Sequence, residues 1–207
     1  MKLDERIGAC QLGYIGLARL ADANLEHDMH ILEDRFTTGQ VLDATCLPNH
    51  TLQSWLKRDL LIGKPGAPIE GGGVSGAHRR FTFFTVMEIA IAKELIETGL
   101  SAANAIKAAQ HFAHVGEGPV YGNPERWPSL PFLNFGMAAR TLLCVSGDKS
   151  IEILWELKTD VIPTIRSRLR STSFIVLEVD EVFDRVVKRL GHDPRAVMAE
   201  AYKVDTE

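Results

Sequence analysis

The segment 36–61 constrains the fold of this chain most, because its pattern predicts two short helices joined by a tight turn. Thr37 can cap the first helix through its hydroxyl, and Gln40 stands in the matching position of a capping box. Residues 41–44 then supply an apolar face that is too short to be stable alone. We therefore expect the first helix to pack against another part of the fold.

The second helix is predicted at 48–58, after a turn at 45–47 in which Leu47 is the apolar plug between the helices. Pro48 fits the first turn of a helix, where its missing N–H costs nothing. The positions expected to face the core are Leu52, Trp55 and Leu56, at the spacing of one helical face.

The outward face of this second helix is polar and ends in two basic residues. Two helices joined by such a turn are typical of helix-turn-helix motifs, in which the second helix lies in the major groove of DNA. The first residues of that helix lie closest to the bases, and side-chain amides pair with adenine edges. We assign base reading to Asn49, His50 and Gln53, and phosphate contact mainly to Lys57 and Arg58. The other contact candidates in the two helices are Thr38, Thr51 and Ser54. The alternative is an ordinary amphipathic helical hairpin with a solvated face.

A hairpin is predicted next, with a strand starting at 60–62 and an antiparallel return at 79–81. Between these strands, residues 63–77 hold six glycines and two prolines, as a flexible tip would. Arginines at the base of such a wing would flank a minor groove or a backbone phosphate. The alternative is a disordered surface loop. The contact candidates of this wing are Lys64, His78, Arg79 and Arg80.

Two longer helices are predicted after the wing. Thr82 can cap a helix over 83–98 that Gly99 ends, and Ser101 can cap another that runs to about His114.

Four motifs in this order are typical of one family: TTGQVL at 37–42, TLQSW to LL at 51–61, RRFT at 79–82 and IETGLS at 96–101. Residues 36 to about 113 resemble the DNA-binding domain of the MerR family. The resemblance implies a winged helix-turn-helix that docks on duplex DNA. Gln53 stands where the family usually has arginine and Cys46 where it usually has glycine, and the wing is longer.

Charge is unevenly distributed along the chain, whose formal net charge is −4. Residues 48–82 carry five basic and two acidic side chains, whereas residues 1–36 carry four basic and seven acidic ones. Positive charge is thus concentrated in the proposed DNA face. Few phosphate contacts per subunit would make a monomer bind weakly, so we expect a homodimer on a two-fold site.

The expected fold class is mostly α with an α+β C-terminal module, namely a winged helix-turn-helix of MerR type plus a small three-stranded α/β unit. The predicted division is a helical extension at 1–35, the DNA-binding domain at 36–115, a linker at 116–130 and the module at 131–207. The module has predicted strands at 141–145, 151–157 and 173–179. Asp180 and Asp193 are expected to cap its two helices. It lacks an obvious dimerising coiled-coil helix.

No pattern in the sequence indicates an enzyme, a cofactor or a metal. His27 and His30, like His111 and His114, have a spacing that could share a metal, but surface or packed histidines are the simpler interpretation. The three scattered cysteines indicate reduced thiols, no apolar run reaches 18 residues, and the N-terminus has no signal-type core. We therefore expect a cytoplasmic protein that does not span a membrane.

The sequence as a whole predicts a sequence-specific DNA-binding transcriptional regulator whose partner is double-stranded DNA. One alternative is an excisionase-like architectural factor, which a DNA bend without a promoter effect would favour. The other is an antitoxin-like regulator that captures a protein partner through 131–207, which a stoichiometric pull-down with that segment would favour.

Overall fold

The structure is a computed structural model that describes residues 31–61, 69, 78–119, 124–134 and 138–203. In chain order its elements are β1 (Arg35–Thr37), α1 (Thr38–Thr45), α2 (Asn49–Lys57), β2 (Arg80–Thr82), α3 (Phe83–Glu97), α4 (Ala102–His114), β3 (Ala139–Ser146), β4 (Lys149–Glu156), α5 (Ile162–Leu169), β5 (Ile175–Glu178), α6 (Val179–Arg189) and α7 (Pro194–Ala201). The described part is a mixed α+β protein, as the sequence predicted at this level. The predicted N-terminal extension lies outside these ranges up to residue 30.

The helix starts predicted from local capping patterns are confirmed. The hydroxyls of Thr37, Thr82 and Ser101 accept backbone N–H groups from the third residue on, and Thr37 and Gln40 form the full capping box. Asp193 caps α7 in the same way, through a bond from the N–H of Arg195. These bonds satisfy donors that no intrahelical carbonyl reaches, which is why such side chains mark where helices begin.

The strand pairing around the predicted wing differs from the prediction. β2 does not return against Leu60 and Leu61; it pairs antiparallel with β1, with Phe36 opposite Phe81 and both rings buried. Leu60 and Leu61 lie in no strand. The N–H of Leu60 already donates to Trp55, and its carbonyl accepts from the side chain of Gln110 on α4. Ile62 and nearly all of the predicted hairpin tip lie outside the described residues.

The C-terminal sheet has the strand order β4-β3-β5, with both pairings antiparallel. Alternate side chains of β3 point to opposite faces. Leu143 and Val145 join the main core with α3 and α6, whereas Leu142 and Cys144 join a smaller cluster with α5. The sheet is therefore covered on both faces, and its three strands confirm the predicted ones.

Two features of the C-terminal part were predicted wrongly or missed. Asp180 does not cap α6, because Glu178 is the residue at that position and makes no side-chain cap. The carboxylate of Asp180 instead accepts from the backbone of Thr141 and the side chain of Asn134. Burial raises the pKa of Asp180. Helix α5 was not predicted, since it is short, has no side-chain cap and buries only Ile165 and Leu169.

Contacts join the two halves of the described chain. The main apolar core contains Val41, Leu52 and Leu95 from the first half and Val182 and Phe183 from the second. In the described ranges, none of the helices has the length and apolar character that crossing a membrane requires.

Candidate nucleic-acid interface

The turn between α1 and α2 depends on the backbone conformation of one residue and on the hydrogen bonds of one threonine side chain. Cys46 adopts a left-handed conformation with φ 53°, which reverses the chain after α1. The Thr45 hydroxyl donates to the Val41 carbonyl at 2.7 Å and accepts from the N–H of Leu47 at 3.3 Å. Leu47 is buried, as the sequence predicted for the plug between the helices. Pro48 is the N-cap of α2 and not its first helical residue.

Helix α2 has one side buried in the core and the opposite side exposed to solvent. Leu52 and Trp55 are buried in the core, and Leu56 is half-buried against it. The exposed candidates on α2 and just after it are Asn49, His50, Gln53, Lys57 and Arg58, while Thr51 and Ser54 are half-buried. This burial pattern leaves a polar surface with two basic residues at its C-terminal end.

The remaining residues predicted to contact DNA differ in their exposure to solvent. His78 and Arg80 are exposed and Arg79 is half-buried, all at the end of the segment that leads into β2. Thr38, the first residue of α1, is half-buried. Lys64 lies outside the described residues.

Two consecutive hydrogen bonds link Arg79, the residue before β2, to α2. Nη1 of Arg79 donates to Oε1 of Gln53 at 2.9 Å. Nε2 of Gln53 donates to Oδ1 of Asn49 at 3.2 Å, one helical turn away. These two bonds bring three of the predicted contact residues together, although 26 positions separate Arg79 from Gln53 in the sequence.

A buried ionisable pair joins α3 and α4. Nε2 of His114 lies 2.8 Å from Oε2 of Glu88, and the two side chains are 7% and 0% exposed. The second oxygen of Glu88 and Nδ1 of His114 have no hydrogen-bond partner within the described chain. The sequence carried a signal for this pair that we did not use, because Glu88 interrupts an otherwise apolar run in α3.

A second buried ionisable group is centred on Arg126, in the irregular segment between α4 and β3. Its guanidinium is fully buried and lies 2.9 Å from the carboxylate of Glu152 on β4. It also donates to backbone carbonyls and lies 4.1 Å above the ring of Phe112. The carbonyls are those of Phe112, Val115, Trp127 and Leu130. Arg126 thus fixes a segment that was predicted to be a linker against α4 and the sheet.

The acids and the histidine around Arg126 titrate abnormally. Burial, followed by the neighbouring carboxylate of Glu152, raises the pKa of Glu117 to about 7. A hydrogen bond to Glu152 raises the pKa of His111. Burial alone would raise the pKa of Glu152, but bonds from His111 and the charge of Arg126 outweigh it and hold that pKa below its usual value.

We expect Glu117 to make stability fall as pH rises towards neutrality. The folded protein holds its proton up to a pKa of about 7, whereas the unfolded chain releases it near 4.5. The stabilisation is therefore complete below about pH 4.5 and is lost as pH rises through about 7. Glu117→Gln is neutral at every pH, so its urea midpoint should fall less between pH 5 and 8 than that of the wild type.

The matched control for this pH dependence is Glu156→Gln, at an exposed carboxylate on the same strand as Glu152. Its profile should parallel that of the wild type. Parallel profiles for Glu117→Gln and the wild type would contradict the assignment of the raised pKa to Glu117.

The histidines and cysteines form no metal site in the described ranges, where no group of three or more His, Cys, Asp or Glu side chains is placed to hold an ion. The rings of His111 and His114 pair with different glutamates, and the pair at 27 and 30 lies outside those ranges. Cys144 is a free thiol whose pKa burial raises to about 12. Cys46 is disulfide-bonded, so the expectation of reduced thiols is wrong there: spacing along the chain does not show which thiols meet in the fold.

Comparison with known proteins assigns no family. No protein-family model matches this chain, and no curated protein matches it either. The functional argument therefore depends on the described geometry and on the motifs.

Proposed function

We propose that this protein is a sequence-specific DNA-binding transcriptional regulator that docks α2 in the major groove of duplex DNA. The observation that carries the proposal is the two-sided character of α2. Leu52 and Trp55 fix it to the core, and the opposite side presents Asn49, His50 and Gln53 to solvent. Side chains of these types hydrogen-bond to base edges.

The dimensions of α2 fit such a groove. A helix with its side chains is about 10–12 Å across. The major groove is about 12 Å wide, so α2 can enter it. Lys57 and Arg58 at the end of α2 are exposed and carry positive charge where the helix would meet the phosphate backbone.

The strand that follows supplies a second point of contact. Arg80 and His78 are exposed and flank Arg79, whose side chain contacts α2, and would contact the adjacent backbone, in the role that the MerR-like pattern gives to the wing. Lys64 belongs to the same proposed wing. A regulator of this kind acts as a homodimer, because one subunit offers few phosphate contacts.

Fluorescence anisotropy with a random-sequence duplex, titrated with salt, tests this proposal. The wild type should bind at low salt and lose affinity steeply as salt rises. Lys57→Ala/Arg58→Ala should bind more weakly and reduce the slope of log affinity against log salt by up to about two.

The matched control is Arg166→Ala/Arg170→Ala, which removes the same charge from the exposed side of α5, where neither arginine has a hydrogen-bond or ionic partner in the described chain. The control should bind like the wild type. No binding at low salt, or equal losses in both variants, would overturn docking through α2.

A further inference from the structure

The hydrogen-bond chain from Arg79 to Asn49 fixes which way two side-chain amides point. A guanidinium can only donate, so the atom of Gln53 that faces Arg79 at 2.9 Å must be its oxygen. The amide nitrogen of Gln53 therefore faces Asn49 at 3.2 Å, and the atom of Asn49 that accepts from it must also be an oxygen. One arginine thus sets the orientation of both amides.

This orientation determines what α2 offers to a ligand. Both amide oxygens already accept a hydrogen bond, whereas one N–H of Gln53 and both N–H groups of Asn49 have no acceptor among the described residues. The pair therefore presents mainly donors. In the major groove, guanine is the base that offers two acceptors, O6 and N7, while adenine offers a donor beside an acceptor.

We propose that Arg79 is a specificity-determining positioning residue that makes α2 select guanine at the base facing Gln53. This inference rests on the proposed DNA-binding function. Arg79 acts through the Gln53 amide and not through a phosphate, in contrast to its neighbour Arg80. Without Arg79 the Gln53 amide is free to rotate and can pair with adenine through its oxygen and nitrogen together.

The test selects duplexes from a random-sequence pool by binding and sequences the enriched DNA. The base position that faces Gln53 is the one whose preference Gln53→Ala abolishes. At this position the wild type should favour guanine over adenine by about tenfold or more. Arg79→Ala should lose that preference and enrich adenine.

Arg80→Ala is the matched control, since it removes an equal charge at the residue next to Arg79. The side chain of Arg80 has no hydrogen-bond partner within the described chain. It should weaken binding to the whole pool and keep the guanine preference. Thermal unfolding of the three variants is followed by circular dichroism. Curves identical to that of the wild type establish that the variants are folded.

The outcomes separate this inference from the proposed function. If the wild type enriches no sequence and does not bind at low salt, both are overturned. If the wild type enriches sequences but Arg79→Ala keeps the same base as the wild type, the positioning role is overturned and DNA binding stands. The same holds if Gln53→Ala leaves every position unchanged.

Discussion

Arg126→Leu should lower the free energy of unfolding by about 3–5 kcal/mol, the usual cost of removing one partner from a buried ion pair. The substitution removes the guanidinium from beside the carboxylate of Glu152, whose side chain is only 1% exposed. It also removes the donor for four backbone carbonyls that hold the segment after α4 in place. Domains are typically stable by about 5–15 kcal/mol, so this loss is a large share of the total.

Urea unfolding followed by circular dichroism measures this effect. The matched control is Lys107→Ala, which breaks a cation–carboxylate contact of 3.2 Å with Asp148 at the surface. That control should shift the urea midpoint little, because water screens exposed pairs. Equal midpoints for Arg126→Leu and the control would show that Arg126 does not anchor the segment.

His114→Leu should also be strongly destabilising, by about 3–5 kcal/mol. Its imidazole is the group paired with Oε2 of Glu88, whose other oxygen already has no donor within the described chain. The single substitution therefore leaves a fully buried carboxylate with no hydrogen-bond partner for either oxygen within the described chain. The double substitution Glu88→Leu/His114→Leu removes the charge together with its partner, so it should be more stable than His114→Leu alone.

A double-mutant cycle by urea unfolding tests this order of stabilities. A double variant less stable than His114→Leu would mean that the interior between α3 and α4 cannot accept apolar side chains. The cost of the single substitution would then come from packing and not from the buried acid.

The features that the sequence predicted correctly are those set by neighbouring residues. The caps at Thr37, Thr82 and Ser101 involve atoms three residues apart, so the pattern contains the whole interaction. The strands β3 and β4 meet at a two-residue turn, and their apolar residues are close in the sequence as well. Local patterns of this kind need no knowledge of the remaining fold.

The features that the sequence did not predict depend on distant partners. β2 finds its partner in β1, more than 40 residues earlier, because burying Phe36 and Phe81 together outweighs a hairpin with the nearer residues. Asp180 has the residue type of a cap, yet Thr141 and Asn134 occupy its oxygens. Buried arginine is rare, so Arg126 in a Gly- and Pro-rich segment gave no signal of its role.

The candidate interface follows the same division. Helical periodicity correctly separated the buried Leu52 and Trp55 from the exposed Asn49 and Gln53. The bond from Arg79 to Gln53 crosses between separate elements, and no spacing rule predicts it.

The most direct test of the central claim follows the side-chain NH₂ groups of Asn49 and Gln53 by NMR while duplex DNA is added to ¹⁵N-labelled protein. Asn49→Ser and Gln53→Ala assign these signals by removing them. If α2 reads bases, both signals should shift on addition of DNA and return as salt is raised. The NH₂ of Asn134, which is bonded to Ala139 and Asp180, should not move. Unchanged Asn49 and Gln53 signals at a DNA concentration that saturates binding would contradict the account.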